Sequence, residues 1–308
     1  MTGSVPAPLV RSALFVPASS ERFLRSAERC AADALILDLE DGVADSSRAD
    51  ARRTANAFIS ARPEHGSPMI FARINPLTAG QVDADLDAVV HPALGAVLLP
   101  KLSGPEDVVE LDRKLSWHEG KGGLRHGSIR IWPLIETPAA ISHVDSIAIA
   151  SDRVAFLGGA IADGGDLVSS LRIEVGGDGS ESLYLRSRLL IAARSAGIAN
   201  PITGLCTDLD DLDGLEHAAL AGRRLGYEGM MVIHPSHVPI VNRVFSPSAE
   251  AVTDARRVLE VLDAADQDGS GTVRLDGRMI DAAMGESARL VVERDARVRT
   301  MQPQDGDR

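Results

Sequence analysis

The sequence predicts an α/β fold, a (β/α)8 TIM barrel followed by a C-terminal helical extension. Three observations carry this reading. Short runs are apolar throughout, helical segments separate them, and each run stops on polar residues. Strands that are apolar at every position belong to a parallel sheet covered on both faces. Eight strand–helix units over about 230 residues match the size of such a barrel, which gathers its reactive groups at the carboxyl ends of its strands. A doubly wound open sheet is the alternative, but no glycine-rich dinucleotide turn follows the first strand. The pattern is that of an enzyme.

The elements follow in order. Ser12–Val16 is the first strand, and Glu21–Cys30 is a helix with Phe23, Leu24 and Ala27 on one face. Ala34–Leu39 is the second strand, and the helix over residues 46–60 takes Ser46 or Ser47 as its cap. Met69–Ile74 leads to a helix over Ala84–Val90, and Ala96–Pro100 to one that starts near Gly104-Pro105-Glu106-Asp107. Proline in a first turn with acids beside it suits the helix dipole. Ile129–Glu136 and a helix over Pro138–Ala150 form the fifth unit, and Val154–Leu157 with a helix around Leu183–Gly197 the sixth. Ile202–Cys206 and Met230–Ile233 are the seventh and eighth strands. The barrel is expected over residues 9–245 and the extension over 246–300, with 301–308 a disordered tail. Within the extension, Ser248–Ala265 is a helix, Thr272–Leu275 a short strand and Met279–Arg294 another helix. Too small to fold alone, it should pack on its own barrel or on a neighbouring subunit.

Composition narrows the function. At 44% hydrophobic and 25% charged the chain is ordinary for a soluble globular protein. A net charge of -12 argues against nucleic acid or an anionic membrane as partner. Two cysteines, Cys30 and Cys206, are too few for a disulfide framework and lack metal-ligand spacing, which fits a reduced, cytoplasmic protein. No run is long and apolar enough for a membrane span, and residues 2–8 read as a loose lead-in rather than a signal peptide.

The candidate reactive residues lie at strand ends. Glu136 and Asp163 follow the adjacent fifth and sixth strands, so their carboxylates converge as hard oxygen donors suited to Mg²⁺. Their alternative roles are a surface ion pair and a helix cap. Arg73 ends the third strand, where a guanidinium can hold a substrate carboxylate bidentately or pair with Glu40 or Asp41. Glu40 and Asp41 end the second strand, and alternation along an extended chain lets only one of them face the pocket. Lys101 follows the fourth strand, more in keeping with an ion pair than with a Schiff base. His234 and His237 lack the further ligand that a zinc site needs, so His234 is expected to fix the last barrel turn. Asp281 alone reads as a cap. The Gly176–Ser180 stretch is a flexible loop on the side of these strand ends.

Eight stretches in register resemble the citrate lyase β-subunit-like family, which includes malyl-CoA and citramalyl-CoA lyases within the phosphoenolpyruvate/pyruvate barrel superfamily of HpcH/HpaI aldolases. They are Leu14-Phe15-Val16-Pro17, Ile36-Leu37-Asp38-Leu39-Glu40-Asp41-Gly42-Val43, Ala72-Arg73-Ile74-Asn75-Pro76, Leu98-Leu99-Pro100-Lys101, Pro133-Leu134-Ile135-Glu136-Thr137-Pro138, Ile233-His234-Pro235-Ser236, Phe245-Ser246-Pro247-Ser248 and Gly277-Arg278-Met279-Ile280-Asp281. The resemblance spans about residues 11–295. It implies Mg²⁺ held by Glu136 and Asp163, with Asp166 as a competing ligand, and Glu40 and Asp41 lining the metal site. It implies that Arg73 holds the hydroxy-acid or oxo-acid part. It further implies that Asp281 is delivered into a neighbouring subunit's site, which calls for a homo-oligomer, a trimer or hexamer. The implied reaction is cleavage of a 3-hydroxyacyl-CoA thioester of the citryl, malyl or citramalyl type to acetyl-CoA and a 2-oxo acid. A metal-dependent 2-oxo-acid aldolase that uses no CoA, or a non-catalytic lyase subunit, is the alternative.

Overall fold

A computed structural model describes residues 9–64, 66–159, 161, 165–176, 179–267 and 271–301. The chain divides into two compact units, the first ending at Arg243 and the second beginning at Val244.

Among the described residues the first unit is built on seven parallel strands. They are β1 (Ser12–Pro17), β2 (Ala34–Asp38), β3 (Met69–Arg73), β4 (Leu94–Leu99), β5 (Arg130–Pro133), β6 (Ile202–Thr203) and β7 (Gly229–Val232), in the spatial order β5-β4-β3-β2-β1-β7-β6. Their connections carry α1 (Glu21–Ala27), α2 (Arg48–Ser60), α3 (Val82–Val89), α4 (Pro105–Gly122), α5 (Pro138–Ser142), α6 (Val144–Ala148), α7 (Asp166–Leu171), α8 (Leu183–Ser195), α9 (Leu212–Leu225) and α10 (His237–Val244). The expected single helix over Pro138–Ala150 is broken at His143 into α5 and α6. The sheet is curled, with the alternate residues Ala34, Ile36, Phe71, Ala96, Leu98 and Trp132 all turned into one buried cluster. Trp132 stacks on Phe156 at 5.3 Å, and Phe71 meets both rings, so a few large side chains fill what the small ones leave.

The expected sixth strand is the principal difference. Residues 154–157 form no regular strand. Val154 and Gly158 make isolated parallel bridges to Ile131 and Leu134, and the Ile202 amide donates to the Leu157 carbonyl at 3.2 Å. The segment therefore touches β5 on one side and β6 on the other. Glycine makes the passage possible: a Cβ at Gly158 would lie 2.4 Å from the Ile202 carbonyl oxygen, and one at Gly159 would lie 2.3 Å from that of Ile135. Arg153 anchors the segment from below. Its Nη2 donates to Glu119 Oε2 at 2.7 Å and its Nε to Asp112 Oδ1 at 2.6 Å, both acceptors on α4.

The second unit contains α11 (Ala249–Gln267), the antiparallel hairpin β8 (Thr272–Leu275) and β9 (Arg278–Asp281), and α12 (Ala282–Met301). The expected helix from Met279 thus begins three residues later. Asp276 and Gly277 both have positive φ, 48° and 83°, the two-residue turn geometry that reverses a chain into a hairpin. Residues 2–8 and 302–308, for which a lead-in and a disordered tail are expected, lie outside the described residues, as do Gly177 and Asp178 of the glycine loop. Among the described residues no helix is long and apolar enough to cross a membrane, and both cysteines are free.

Candidate active site

Four consecutive strand ends supply the polar groups. In the β2–β3 ladder Asp38 is the direct partner of Arg73, which puts both side chains on one face. Arg73 Nε donates to Asp38 Oδ1 and its Nη2 to Asp38 Oδ2, each at 2.7 Å. The remaining arm of the guanidinium, Nη1, lies 3.0 Å from Glu40 Oε2 and 3.7 Å from Asp41 Oδ2. The Phe15 ring from β1 backs it, 5.0 Å from the guanidinium carbon. Asp38 also accepts the amides of Glu40 at 3.0 Å and Gly42 at 2.8 Å, so it shapes the turn that follows β2.

Lys101 comes next, two residues past β4, with a left-handed φ of 50°. Its amide donates to Glu136 Oε1 at 2.9 Å. Its ammonium lies 2.9 Å from Glu40 Oε1, 2.9 Å from Asp41 Oδ1 and 3.6 Å from Asp166 Oδ2. Negative and positive groups therefore alternate along the series Asp38, Arg73, Glu40, Lys101, Asp41. Glu136 is fixed from its other side by Thr137, whose hydroxyl donates to the Leu102 carbonyl and caps α5 by accepting the Ala140 amide. Behind the cluster Asn75 donates to the Leu39 carbonyl and to Asp85, which Arg52 holds in turn. Together these bonds lock the loops after β2 and β3.

Acid outnumbers base here. Among the described residues the cluster sets Asp38, Glu40, Asp41, Glu136 and Asp166 against Arg73 and Lys101. The excess shows on Glu136, whose carboxyl is pushed up to about 7. Burial is the main cause, the charges of Glu40 and Asp166 add to it, and the Lys101 amide and Arg73 oppose it. Burial raises Glu40 too, against the pull of Arg73 and Lys101. Burial works against the charge of Arg73, but Asp38 outweighs it and holds the guanidinium above its usual range. Lys101 is likewise held above the usual amine range, because Glu40 and Asp41 more than offset its burial. It is an ammonium ion, in an acid pair rather than poised as a Schiff-base nucleophile.

The structure thus brings Glu40, Asp41, Arg73 and Glu136 together. Glu40 is buried in the cluster, while Asp41 is exposed and reaches Arg73 and Lys101 from its rim, because β2 ends at Asp38 and the chain turns immediately. Asp163 lies outside the described residues, while Asp166 sits beside Lys101. Asp281 closes β9 in the second unit and caps α12, its Oδ1 accepting the Met284 amide at 3.0 Å. His234 pairs with Ser236 beside it, and His237 is buried. Among the described residues no three His, Cys, Asp or Glu side chains form a ready metal cage. Sequence reasoning missed Asp38 as the clamp on Arg73. The signal was there, a charged residue closing an otherwise apolar strand.

The sequence pattern of the HpcH/HpaI aldolase/citrate lyase family matches residues 11–235. The chain belongs to that family. It is 33% identical over 286 residues to citrate lyase subunit beta of Haemophilus influenzae, covering 93% of this chain and 97% of the relative. It is 30% identical to the L-malyl-CoA/beta-methylmalyl-CoA lyase of Rhodobacter capsulatus, over 93% of this chain and 95% of that one. Among solved structures, protein CitE of Mycobacterium tuberculosis in complex with magnesium, acetoacetate and coenzyme A superposes with a TM-score of 0.74 at 28% identity. That match covers 94% of this chain and 98% of the other. These family members are lyases, and the chain is an enzyme of that class.

Proposed function

We propose that the chain is a Mg²⁺-dependent carbon–carbon lyase that cleaves a 3-hydroxyacyl-CoA thioester of the citryl, malyl or citramalyl type into acetyl-CoA and a 2-oxo acid. The observation that carries this reading is Glu136, a buried carboxylate beside a cluster with more acid than base. Such a site fits a hard divalent cation, which takes carboxylate oxygens and would relieve the excess charge. The magnesium and coenzyme A bound to the mycobacterial relative support the same choice.

Glu136 and Asp163 would hold the ion, with Asp166 as the competing ligand and Glu40 and Asp41 lining the site. When bound, Mg²⁺ supplies a Lewis acid for the oxygens of the hydroxy-acid part. Arg73, its orientation set by Asp38, grips the substrate carboxylate. A carboxylate of the cluster, Glu40 or Asp41, takes the hydroxyl proton, that oxygen becomes the carbonyl of the 2-oxo acid, and the electrons of the breaking carbon–carbon bond pass to the thioester as an enolate. Asp281, brought in by a neighbouring copy, gives its proton to the enolate carbon and leaves acetyl-CoA. The scaffold is then a (β/α)8 barrel with residues 154–158 as its remaining strand, a reading supported by their contacts with β5 and β6. The same reading makes the enzyme a cytoplasmic homo-oligomer, a trimer or hexamer.

The test is release of acetyl-CoA from malyl-, citramalyl- and citryl-CoA, with Mg²⁺ and with EDTA, by wild type and Asp163→Ala. Turnover of one thioester that needs Mg²⁺ and is lost in the variant establishes the lyase and names its substrate. Cleavage of free hydroxy-oxo acids with none of the thioesters moves the assignment to an aldolase that uses no CoA. No cleavage of either kind leaves a non-catalytic subunit.

A further inference from the structure

Lys101 occupies the centre of the acid cluster, and its backbone is shaped to put it there. A left-handed φ of 50° is costly for a residue with a side chain. Two sets of bonds hold it: the amide to Glu136, and the ammonium to Glu40, Asp41 and Asp166. Glu40 has only 2% of its side chain exposed, and both of its oxygens face cations, Oε1 towards Lys101 and Oε2 towards Arg73. Arg73 is already committed to Asp38 through two of its nitrogens. Lys101 is thus the counter-ion that lets Glu40, Asp41 and Asp166 stand together. Its side chain is 34% exposed, so it can move without opening the core.

We propose that the Lys101 ammonium is a built-in counter-ion, holding Glu40, Asp41 and Asp166 in place before the divalent ion arrives and opposing that ion's binding by charge repulsion. The inference rests on the metal-dependent reading of this site. Lys101 is a positioning residue here, and it takes no part in proton or group transfer. A unit positive charge several ångströms from a divalent ion, in the partly buried environment at a protein surface, weakens that ion's binding by about tenfold or more. The weakening has a use: Mg²⁺ that is held loosely can enter together with an anionic substrate, which supplies the negative charge that Lys101 has neutralised.

Were holding the acids the whole of its effect, with no repulsion of the ion, loss of Lys101 would scatter them and weaken the metal instead. The experiment is calorimetric titration of metal-free full-length protein with MgCl2, for wild type, Lys101→Met, Lys101→Gln and Lys101→Arg. The expected result is binding about tenfold tighter in the Met and Gln variants and unchanged in the Arg variant. Their metal-free melting temperature should fall below that of wild type, and Mg²⁺ should raise it by more than it raises the wild type. Equal or weaker Mg²⁺ binding in whichever of the Met and Gln variants folds overturns the inference while leaving the metal site standing. No Mg²⁺ uptake by wild type overturns the metal reading itself, and this inference with it.

Discussion

Asp38 and Arg73 stand directly opposite each other across β2 and β3 and meet through two parallel hydrogen bonds of 2.7 Å. A bidentate pair fixes a guanidinium in plane and direction, which a single contact does not. The arginine that would grip substrate is therefore aimed by the sheet itself.

Asp38→Asn should disturb that aim. One amide oxygen cannot replace two carboxylate oxygens, and a largely buried arginine loses the nearest of its paired charges. Stability should fall by about 3 kcal/mol, and steady-state kinetics should show a higher KM with a smaller loss in kcat. An unchanged KM would separate Arg73 from substrate binding.

Glu136→Gln keeps an oxygen for the Lys101 amide but removes the charge. Calorimetry should show Mg²⁺ binding lost or reduced at least about a hundredfold, with the metal-free melting temperature equal to or above that of wild type. Burying an amide costs less than burying an ionised carboxylate. Retained Mg²⁺ affinity would exclude Glu136 as a ligand.

The anchor around Arg153 predicts acid sensitivity. Burial opposes ionisation of both Glu119 and Asp112. Arg153, the amides of Ile129 and Gly127, and the Ser151 and Ser116 hydroxyls outweigh it and hold both acids below their usual values. Acids lowered in the folded state contribute stability that is complete above their ordinary pKa values of 3.8 and 4.5. That contribution disappears as pH falls through the lowered folded values. Melting temperature should drop steeply on the acid side of about pH 4.5. Glu119→Gln should flatten that fall while costing about 3 kcal/mol near neutrality. Melts of both proteins between pH 2 and 7 check it, and parallel curves would rule the anchor out as the source.

Gly159→Ala places a methyl group 2.3 Å from the Ile135 carbonyl, one residue before Glu136. The strand end must shift, at about 1–3 kcal/mol, and Glu136 shifts with it. Mg²⁺ affinity should therefore drop in a protein that still folds, which calorimetry alongside a thermal melt would reveal.

Much of this was legible in the sequence, for physical reasons. Runs such as Ala34–Leu37 and Ala96–Leu99 are apolar at every position because the sheet is covered on both faces, and the charges at their ends mark where cover stops. That Arg73, Glu40, Asp41 and Glu136 gather at neighbouring strand ends follows from their positions alone. Residues 154–157 could not be resolved as bridges rather than a strand, because the tightness of that passage depends on carbonyls of Ile135 and Ile202 far away in sequence. Met279 looks helical beside the long amphipathic stretch that follows. The Asp276-Gly277 turn, a local signal, makes it a strand instead. Lys101 as a hub depends on a left-handed backbone that no side-chain pattern announces.

The alternating series from Asp38 through Arg73, Glu40 and Lys101 to Asp41 has an evolutionary consequence. Asp38 and Lys101 are linked through Arg73, Glu40 and Asp41, and each sets the charge balance that the other feels. Double-mutant cycles across the series should deviate from additivity even for pairs that do not touch. A relative that exchanges one of these charges would then be expected to carry a second, compensating exchange. On that expectation the site would drift in sequence by paired steps, along few routes.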